Sequence, residues 1–214
     1  MAEPYEFVPP KSGTLVARLM QPVLPVQLKH TWGIVGHEIR GAEKLRASLA
    51  AGHGIVLAPN HVRDPDALVV GLLTKHVDSH FHFMASWHVF KQGWFQRFLM
   101  RQLGAFSVHR EGLDKTSLNT AIDILVEARR PLVLFPEGTV SFHNDQLSPL
   151  QEGTSLIVQR AAKKRGADGG QVVVHPVALK YQFAGDLEET LSTALADLER
   201  ELSWEPQTDL SPLD

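Results

Sequence analysis

The residues best suited to acid–base chemistry are His61 and Asp66, which lie five positions apart directly after the apolar run 54–59. That run is short, rich in aliphatic residues and bounded by Gly and Pro, which predicts a buried strand. The dipeptide Asp64-Pro65 predicts the start of a helix, with Asp as the cap and Pro at the first helical position. His61 is therefore expected in a strand-to-helix loop and Asp66 in the first turn of the helix.

A carboxylate next to a histidine fixes the tautomer of the ring and stabilises the imidazolium that forms when the ring takes up a proton. Residues five apart do not share a face of a continuous helix, but a loop followed by a helical turn can bring them together. The residues alone leave an alternative open, in which Asp64 only caps the helix and His61 is an ordinary loop residue.

Other polar residues also follow predicted strands. Arg110 follows the short strand 105–109, and Glu137-Gly138-Thr139 follows the apolar run 131–136. In open parallel sheets, sites form at the carboxyl ends of the strands. A base, a cation and a Glu-Gly-Thr turn are therefore expected to meet in one site.

The chain alternates between strand and helix patterns. The predicted strands are 55–58, 80–85, 105–109, 131–136 and 171–181, and the predicted helices are 14–20, 42–50, 65–74, 88–103, 116–128, 153–164 and 187–202. Strands separated by helices imply parallel pairing with crossover connections. The fold class is thus α/β: a single-domain layered fold with a mostly parallel sheet and helices on both faces.

Composition and charge exclude some functions. The chain has no cysteine, which rules out disulfides and thiolate chemistry, and its net charge of −3 gives no general attraction to nucleic acid. Residues 11–50 carry six Lys or Arg against two Glu, whereas residues 185–214 carry nine acids against one Arg. The basic segment either favours an anionic membrane surface or is a solvated charged face.

No stretch of the sequence predicts a transmembrane helix or a secretory signal. The most apolar candidate, 15–35, is interrupted by Pro22, Pro25 and several polar residues. We therefore expect a peripheral protein on the cytoplasmic face of a membrane. The aromatic segment 87–103 is either part of the core or an interfacial helix.

The eleven histidines raise the question of a metal site, above all His76, His80, His82 and His88. Apart from Asp78, no acidic or cysteine partner stands beside them, so strand residues explain them and no metal is predicted.

Four segments of the chain form an ordered set of motifs. They are Asn60-His61-x4-Asp66, Gly104-Ala105-Phe106-Ser107-Val108-His109-Arg110, Phe135-Pro136-Glu137-Gly138-Thr139-Val140-Ser141 and Val174-His175-Pro176-Val177. Over residues 38–180 the chain resembles the glycerolipid acyltransferase family typified by 1-acylglycerol-3-phosphate acyltransferases. The His-x4-Asp motif followed by Phe-Pro-Glu-Gly-Thr is the specific part of this resemblance.

The resemblance implies transfer of a fatty acyl group from acyl-coenzyme A or acyl carrier protein to the hydroxyl of a lysophospholipid such as 1-acylglycerol-3-phosphate. His61 would act as general base and Asp66 would orient it, without an acyl-enzyme. The implied substrate-binding residues are Asn60, Arg63, Arg110, Glu137, Gly138 and Thr139. Glu137 is expected to hold Arg110 or a sugar hydroxyl, because a carboxylate beside a phosphate would repel it.

Two residues depart from the family pattern. Arg63 replaces a small hydroxyl residue, and His109 replaces an acid before Arg110. Both changes leave the acceptor open, and a second phosphate or a more acidic head group is one option.

The expected partners are the lipid acceptor, the acyl thioester donor, a membrane surface and, for one donor, acyl carrier protein. No cofactor is expected beyond the co-substrate. Competing functions are transfer to a glycolipid or an amino-lipid, transacylation without coenzyme A, thioester hydrolysis, and binding without catalysis. The predicted domains are a lead-in over 1–37 that could associate with membranes, an acyltransferase domain over 38–203 and a tail over 204–214.

Overall fold

A computed structural model describes residues 5–112, 114–167 and 170–202 of the chain. Its helices are α1 (Leu15–Met20), α2 (Leu24–Trp32), α3 (Ala42–Ala50), α4 (Asp66–Gly71), α5 (Leu73–Val77), α6 (Trp94–Gln102), α7 (Lys115–Glu127), α8 (Glu152–Gly166) and α9 (Leu187–Glu201), with a 3₁₀ turn over Trp87–Lys91. Its strands are β1 (Gly54–Pro59), β2 (His82–Ser86), β3 (Ala105–Val108), β4 (Leu132–Val133) and β5 (Val172–Val177).

The five strands form one sheet in the order β3-β2-β4-β1-β5, and every pair of neighbouring strands is parallel. Helices connect the strands, as parallel pairing requires. The predicted α/β class with a parallel sheet is confirmed. The sheet and its connections belong to a compact unit that extends to Lys180, and a second unit begins at Tyr181.

The two faces of the sheet are packed by different helices, because successive strand residues point to opposite sides. On one face, strand residues such as Val56 and Phe106 pack with Leu125 of α7 and Ile157 of α8. On the other face, Ala105 packs with residues from the 3₁₀ turn, α6 and the N-terminal segment. Helices and the N-terminal segment therefore pack against both faces of the sheet.

The N-terminal residues protect the edge strand β3. The backbone N–H of Ser107 donates to the carbonyl of Val8 at 3.1 Å, and the N–H of Val8 donates to the hydroxyl of Ser107 at 2.8 Å. An unpaired strand edge leaves its N–H and C=O groups without partners, so this segment satisfies part of that edge.

Several predicted elements have different bounds in the structure. The helix predicted over 88–103 is split by Gly93, whose φ of 143° a helix does not allow. The helix predicted over 65–74 is divided into α4 and α5, and α2 was not predicted at all. The strand predicted over 131–136 pairs with β1 only as far as Leu134, after which the chain turns toward the site.

The second unit contains helix α9, whose N-terminus is capped by Asp186: its carboxylate accepts the N–H of Glu189 at 3.0 Å. The predicted tail over 204–214 and the first four residues of the predicted lead-in lie outside the described residues.

Candidate active site

Asp66 is the centre of the hydrogen-bond network at the end of β1. Its Oδ2 atom accepts from the backbone N–H of Val62 at 2.6 Å and of Arg63 at 2.9 Å, and lies 2.9 Å from Nδ1 of His61. The side chain of Asp66 has no solvent exposure. A buried carboxylate needs such partners, and here they fold the loop back so that the two residues meet.

The Asp66 contact determines which nitrogen of His61 can act as a base. An ionised carboxylate only accepts hydrogen bonds, so Nδ1 of His61 carries the proton and donates it to Asp66. Nε2 then has a free lone pair, and the ring of His61 borders a cavity. The pair therefore has the orientation that general-base catalysis requires.

Glu137 fixes the backbone of His61 from the neighbouring loop. Its Oε1 accepts the N–H of His61 at 2.7 Å and its Oε2 accepts the N–H of Ser148 at 2.9 Å. Burial alone would raise the pKa of Glu137, but these N–H groups hold that pKa below its usual value. Glu137 is therefore an ionised clamp between the two loops.

Two further residues after β4 hold His61. Ser141 donates both its backbone N–H, at 2.8 Å, and its hydroxyl, at 3.0 Å, to the carbonyl of His61. The ring of Phe135 stacks on the imidazole, with 4.2 Å between ring centroids and 29° between their planes. With Glu137, these contacts restrain both the backbone and the ring of His61.

Arg110 reaches the same loop from the end of β3. Its guanidinium donates to the carbonyl of Gly138, whose φ of 72° is in the left-handed region that favours glycine. Both oxygens of Glu137 are bound to backbone N–H groups instead. Of the two partners expected for Glu137, Arg110 is therefore wrong, since it contacts the adjacent carbonyl, whereas a sugar hydroxyl stays a prediction.

The loop that carries Arg110 is held by a cluster around Asp114. The carboxylate of Asp114 accepts from the hydroxyl of Tyr5 at 2.6 Å, from the hydroxyl of Ser117 at 2.5 Å and from the N–H of His109 at 3.0 Å. Burial acts to raise the pKa of Asp114, but hydrogen bonds led by those from Ser117 lower it below its usual value. The Tyr5 ring also stacks on His109 at 4.9 Å between centroids.

A cavity of about 800 Å³ connects these groups. His61, Arg110, Gly138 and Thr139 border it, and much of the remaining wall is apolar, including Phe83, Val89, Met100, Leu103, Leu118 and Leu156. Pockets of roughly 300–1,000 Å³ with apolar walls and a few convergent polar groups are typical ligand sites. The cavity can accommodate a molecule with a long apolar part and a polar group near His61.

Two predicted binding residues do not border this cavity. The amide of Asn60 bonds to both backbone groups of Leu179, at 3.0 Å and 2.6 Å, and so joins the end of β1 to the segment after β5. The guanidinium of Arg63 donates to the carbonyl of Trp32 at 3.4 Å. Both side chains therefore join parts of the fold, and the substrate-binding roles expected for Asn60 and Arg63 stay predictions.

The predicted helix cap is also different. Asp64 is exposed and makes no capping hydrogen bond; the helix begins at Asp66 with Pro65 at the cap position. The carboxylate of Asp66 instead accepts hydrogen bonds from the backbone N–H groups of Val62 and Arg63 in the loop. One carboxylate thus stabilises the loop and orients the histidine.

Sequence reasoning missed Tyr5, Phe135, Ser141 and Ser148 as supporting residues. Phe135 and Ser141 are the first and last residues of the motif that contains Glu137, so their place in that motif could have indicated a supporting role. Tyr5 and Ser148 lie outside the motifs, and only the fold shows that they contact the site.

The arrangement can deprotonate a hydroxyl that is held against Nε2 of His61. No side chain with a nucleophilic hydroxyl or thiol is hydrogen-bonded to the His61 ring in the described part of the chain; the ring contacts are Asp66 and Phe135. No group of three His, Asp or Glu within the described ranges is arranged to hold a metal ion.

The comparison with protein families identifies the family of the chain. A family model described as Acyltransferase matches residues 37–180, which include β1 to β5 and every residue of the site except Tyr5. No curated protein matches the chain. The chain therefore belongs to the acyltransferase family, as its motifs predicted.

Proposed function

We propose that this protein is an O-acyltransferase that moves a fatty acyl group from an acyl thioester to the hydroxyl of a lysophospholipid-like acceptor. The observation that carries the proposal is the His61–Asp66 pair, with 2.9 Å between Nδ1 and Oδ2, at the wall of a largely apolar cavity. Family membership supports acyl transfer in general, and the cavity supports a substrate with a long chain.

In the proposed reaction, Nε2 of His61 removes the proton from the acceptor hydroxyl as its oxygen attacks the thioester carbonyl. The tetrahedral intermediate collapses, the carbon–sulfur bond breaks, and the imidazolium returns its proton to the departing thiolate. The products are one ester and one free thiol. Asp66 stabilises the imidazolium throughout, and no acyl-enzyme is formed.

Arg110, Gly138 and Thr139 are proposed to bind the head group of the acceptor. All three border the cavity that His61 also borders. An exposed arginine suits an anionic head group because its planar fork presents several N–H donors. The predicted acceptor, a lysophospholipid such as 1-acylglycerol-3-phosphate, is one member of this class.

A membrane surface is proposed as the source of the acceptor. Helix α6 exposes Trp94 and Phe95 by 82% and 60%, and α1 exposes Leu15 and Leu19. The segment 87–103 contains Lys, Arg and His but no Asp or Glu, which favours an anionic lipid surface. None of the helices in the described ranges is long and apolar enough to cross a bilayer.

Acyl transfer by the purified protein tests the proposal. Labelled acyl-coenzyme A and acyl carrier protein thioester are each offered with a panel of lyso-lipids, and ester and free fatty acid are separated. We expect ester from at least one donor, and its loss in His61→Ala. Free fatty acid in place of ester would instead indicate a thioester hydrolase and contradict the proposal.

A further inference from the structure

Tyr5 connects the N-terminal segment to the loop that carries Arg110. Its hydroxyl donates to Asp114 at 2.6 Å, and its ring stacks on His109 with 4.9 Å between the centroids and 20° between the planes. These two partners lie on either side of Arg110 in the connection between β3 and α7. Tyr5 itself precedes residues 37–180, which match the family model. A residue outside the family-matched part of the chain therefore contacts the Arg110 loop at two points.

The contacts of Tyr5 restrain both the backbone and the ring of His109. The Oδ2 atom of Asp114 that accepts from Tyr5 also accepts the backbone N–H of His109 at 3.0 Å. The imidazole stacks on Tyr5 and meets the ring of Trp87 edge-on, with 5.9 Å between centroids. Because a planar peptide joins His109 to Arg110, these restraints limit where the backbone of Arg110 can lie.

The Tyr5 end of the contact is itself fixed to the sheet. Two hydrogen bonds join Val8 to Ser107 of β3, at 2.8 and 3.1 Å, and the N–H of Lys11 donates to the carbonyl of Arg101 at 3.1 Å. The N-terminal segment therefore holds Tyr5 at a defined position beside β3, from which it can support the loop.

Arg110 is the residue that gains from this support. Its side chain is exposed and borders the cavity, and its guanidinium donates to the carbonyl of Gly138. A long charged side chain loses rotamer freedom when it binds a ligand, so a fixed backbone beneath it reduces the ordering that binding requires. An anchored loop should therefore strengthen binding by Arg110.

On the basis of the proposed function, we infer that Tyr5 is a positioning residue for the acceptor: through His109 and Asp114 it holds Arg110 toward the acceptor head group. Tyr5 does not border the cavity, so it acts through the loop and not by contact with the substrate. The hydrogen bonds of His61 and Asp66 do not involve it. Its loss should therefore raise the acceptor KM and leave kcat and the donor KM nearly unchanged.

Two variants separate the contacts of Tyr5. Tyr5→Phe keeps the ring and removes the hydroxyl, whereas Tyr5→Ala removes both. The acceptors are 1-acylglycerol-3-phosphate and lysophosphatidylglycerol, both anionic, in mixed micelles of constant composition with saturating donor. We expect the acceptor KM to rise about threefold in Tyr5→Phe and about tenfold in Tyr5→Ala, with kcat within about twofold of the wild type. An unchanged acceptor KM in Tyr5→Ala, or a loss confined to kcat, would overturn the inference.

Phe7→Leu is the matched control from the same segment. The ring of Phe7 packs on the core, with its centroid 6.5 Å from that of Phe106. The substitution changes how the segment packs on the sheet and should lower Tm, but the acceptor KM should stay at the wild-type value. A rise in acceptor KM equal to that of Tyr5→Ala would assign the effect to the fold and overturn the inference.

Combination with Arg110→Ala tests whether Tyr5 acts through Arg110. If it does, Tyr5→Ala should change the acceptor KM by less than about twofold once Arg110 is already replaced, because the two substitutions remove the same interaction. The same rise in both backgrounds would show a general structural defect and overturn the inference while acyl transfer stands.

The choice of acceptors distinguishes this inference from the proposed function. No ester with either anionic acceptor, while another lyso-lipid of the panel is acylated, would overturn the inference and leave acyl transfer standing. No ester with any lyso-lipid from folded wild-type protein would overturn the proposed function and the inference with it.

Discussion

Replacing Asp66 separates the two roles proposed for it, which are to fold the loop and to orient His61 as the base. Its Oδ2 takes two backbone N–H groups and faces the imidazole of His61. In Asp66→Asn the amide oxygen can still accept the two backbone N–H groups, so the loop is kept while the charge beside His61 is lost. In Asp66→Ala all three donors lose this acceptor.

The contacts give different magnitudes for the two variants. Leaving a buried donor without a partner costs about 1–3 kcal/mol, and some water can enter the space, so Asp66→Ala should lower the free energy of unfolding by about 3–6 kcal/mol. For a chain of this size, this predicts a fall in Tm of roughly 6 °C or more. Asp66→Asn should cost less than about 2 kcal/mol, because the weaker hydrogen bonds are offset by the removal of a buried charge.

The rate should respond differently from the stability. Positioned acid–base catalysis typically contributes about 10²–10⁴-fold, so both variants should lower kcat by about that factor. This corresponds to about 3–5 kcal/mol in the activation free energy. In Asp66→Asn the rate loss is therefore expected in a protein with nearly normal Tm.

The assay combines thermal unfolding with kcat at saturating donor and acceptor, and Asp123→Asn on the exposed side of α7 is the matched control. An Asp66→Asn rate within about threefold of the wild type would refute the orienting role. An Asp66→Ala protein with unchanged Tm would refute the loop-folding role.

Three other variants test the remaining parts of the site. Arg110→Lys keeps the charge but loses the planar fork, so the acceptor KM should rise about tenfold with little change in kcat; an unchanged KM, measured by steady-state kinetics, would contradict head-group binding. Because the folded-state pKa of Glu137 is lowered, its stabilisation is present above the usual Glu pKa and is lost as pH falls through the folded value. Glu137→Gln should therefore have a lower Tm at pH 7 and a smaller decrease in Tm between pH 7 and 4, and a parallel pH dependence in both proteins would count against the clamp. Replacing Trp94 and Phe95 together by Ser should weaken co-sedimentation with anionic vesicles several-fold while the rate on micellar acceptor is kept, and equal sedimentation would exclude α6 as the membrane contact.

The sheet and the contact between His61 and Asp66 could be predicted because their signals are local. The runs that became β1 and β5 are short and apolar, and strands alternate with helices along the chain, which predicts parallel pairing. His61 and Asp66 lie within one strand-to-helix connection, so the chain itself brings them together. Both features can therefore be predicted without knowing which residues far apart in the sequence are in contact.

The partners of Glu137 and Asn60 could not be predicted because they depend on how separate loops meet. The carboxylate of Glu137 accepts from the N–H groups of His61 and Ser148, which are 76 and 11 residues away in the sequence. The amide of Asn60 bonds to the backbone of Leu179, which is 119 residues away. A motif identifies such residues but does not distinguish a substrate contact from a clamp. The break at Gly93 was missed for another reason, since glycine allows many backbone conformations and its φ cannot be read from its neighbours.

The most direct test of the central claim measures thiol release and ester formation together in the wild type, in His61→Gln and in a control variant, His53→Gln. His53 precedes β1, at the end of the sheet opposite the site. We expect one thiol per ester in the wild type and in His53→Gln, and a loss of both products by about a hundredfold or more in His61→Gln, with thioester binding retained. Ester formation by His61→Gln within about threefold of the wild type would contradict general-base catalysis by His61.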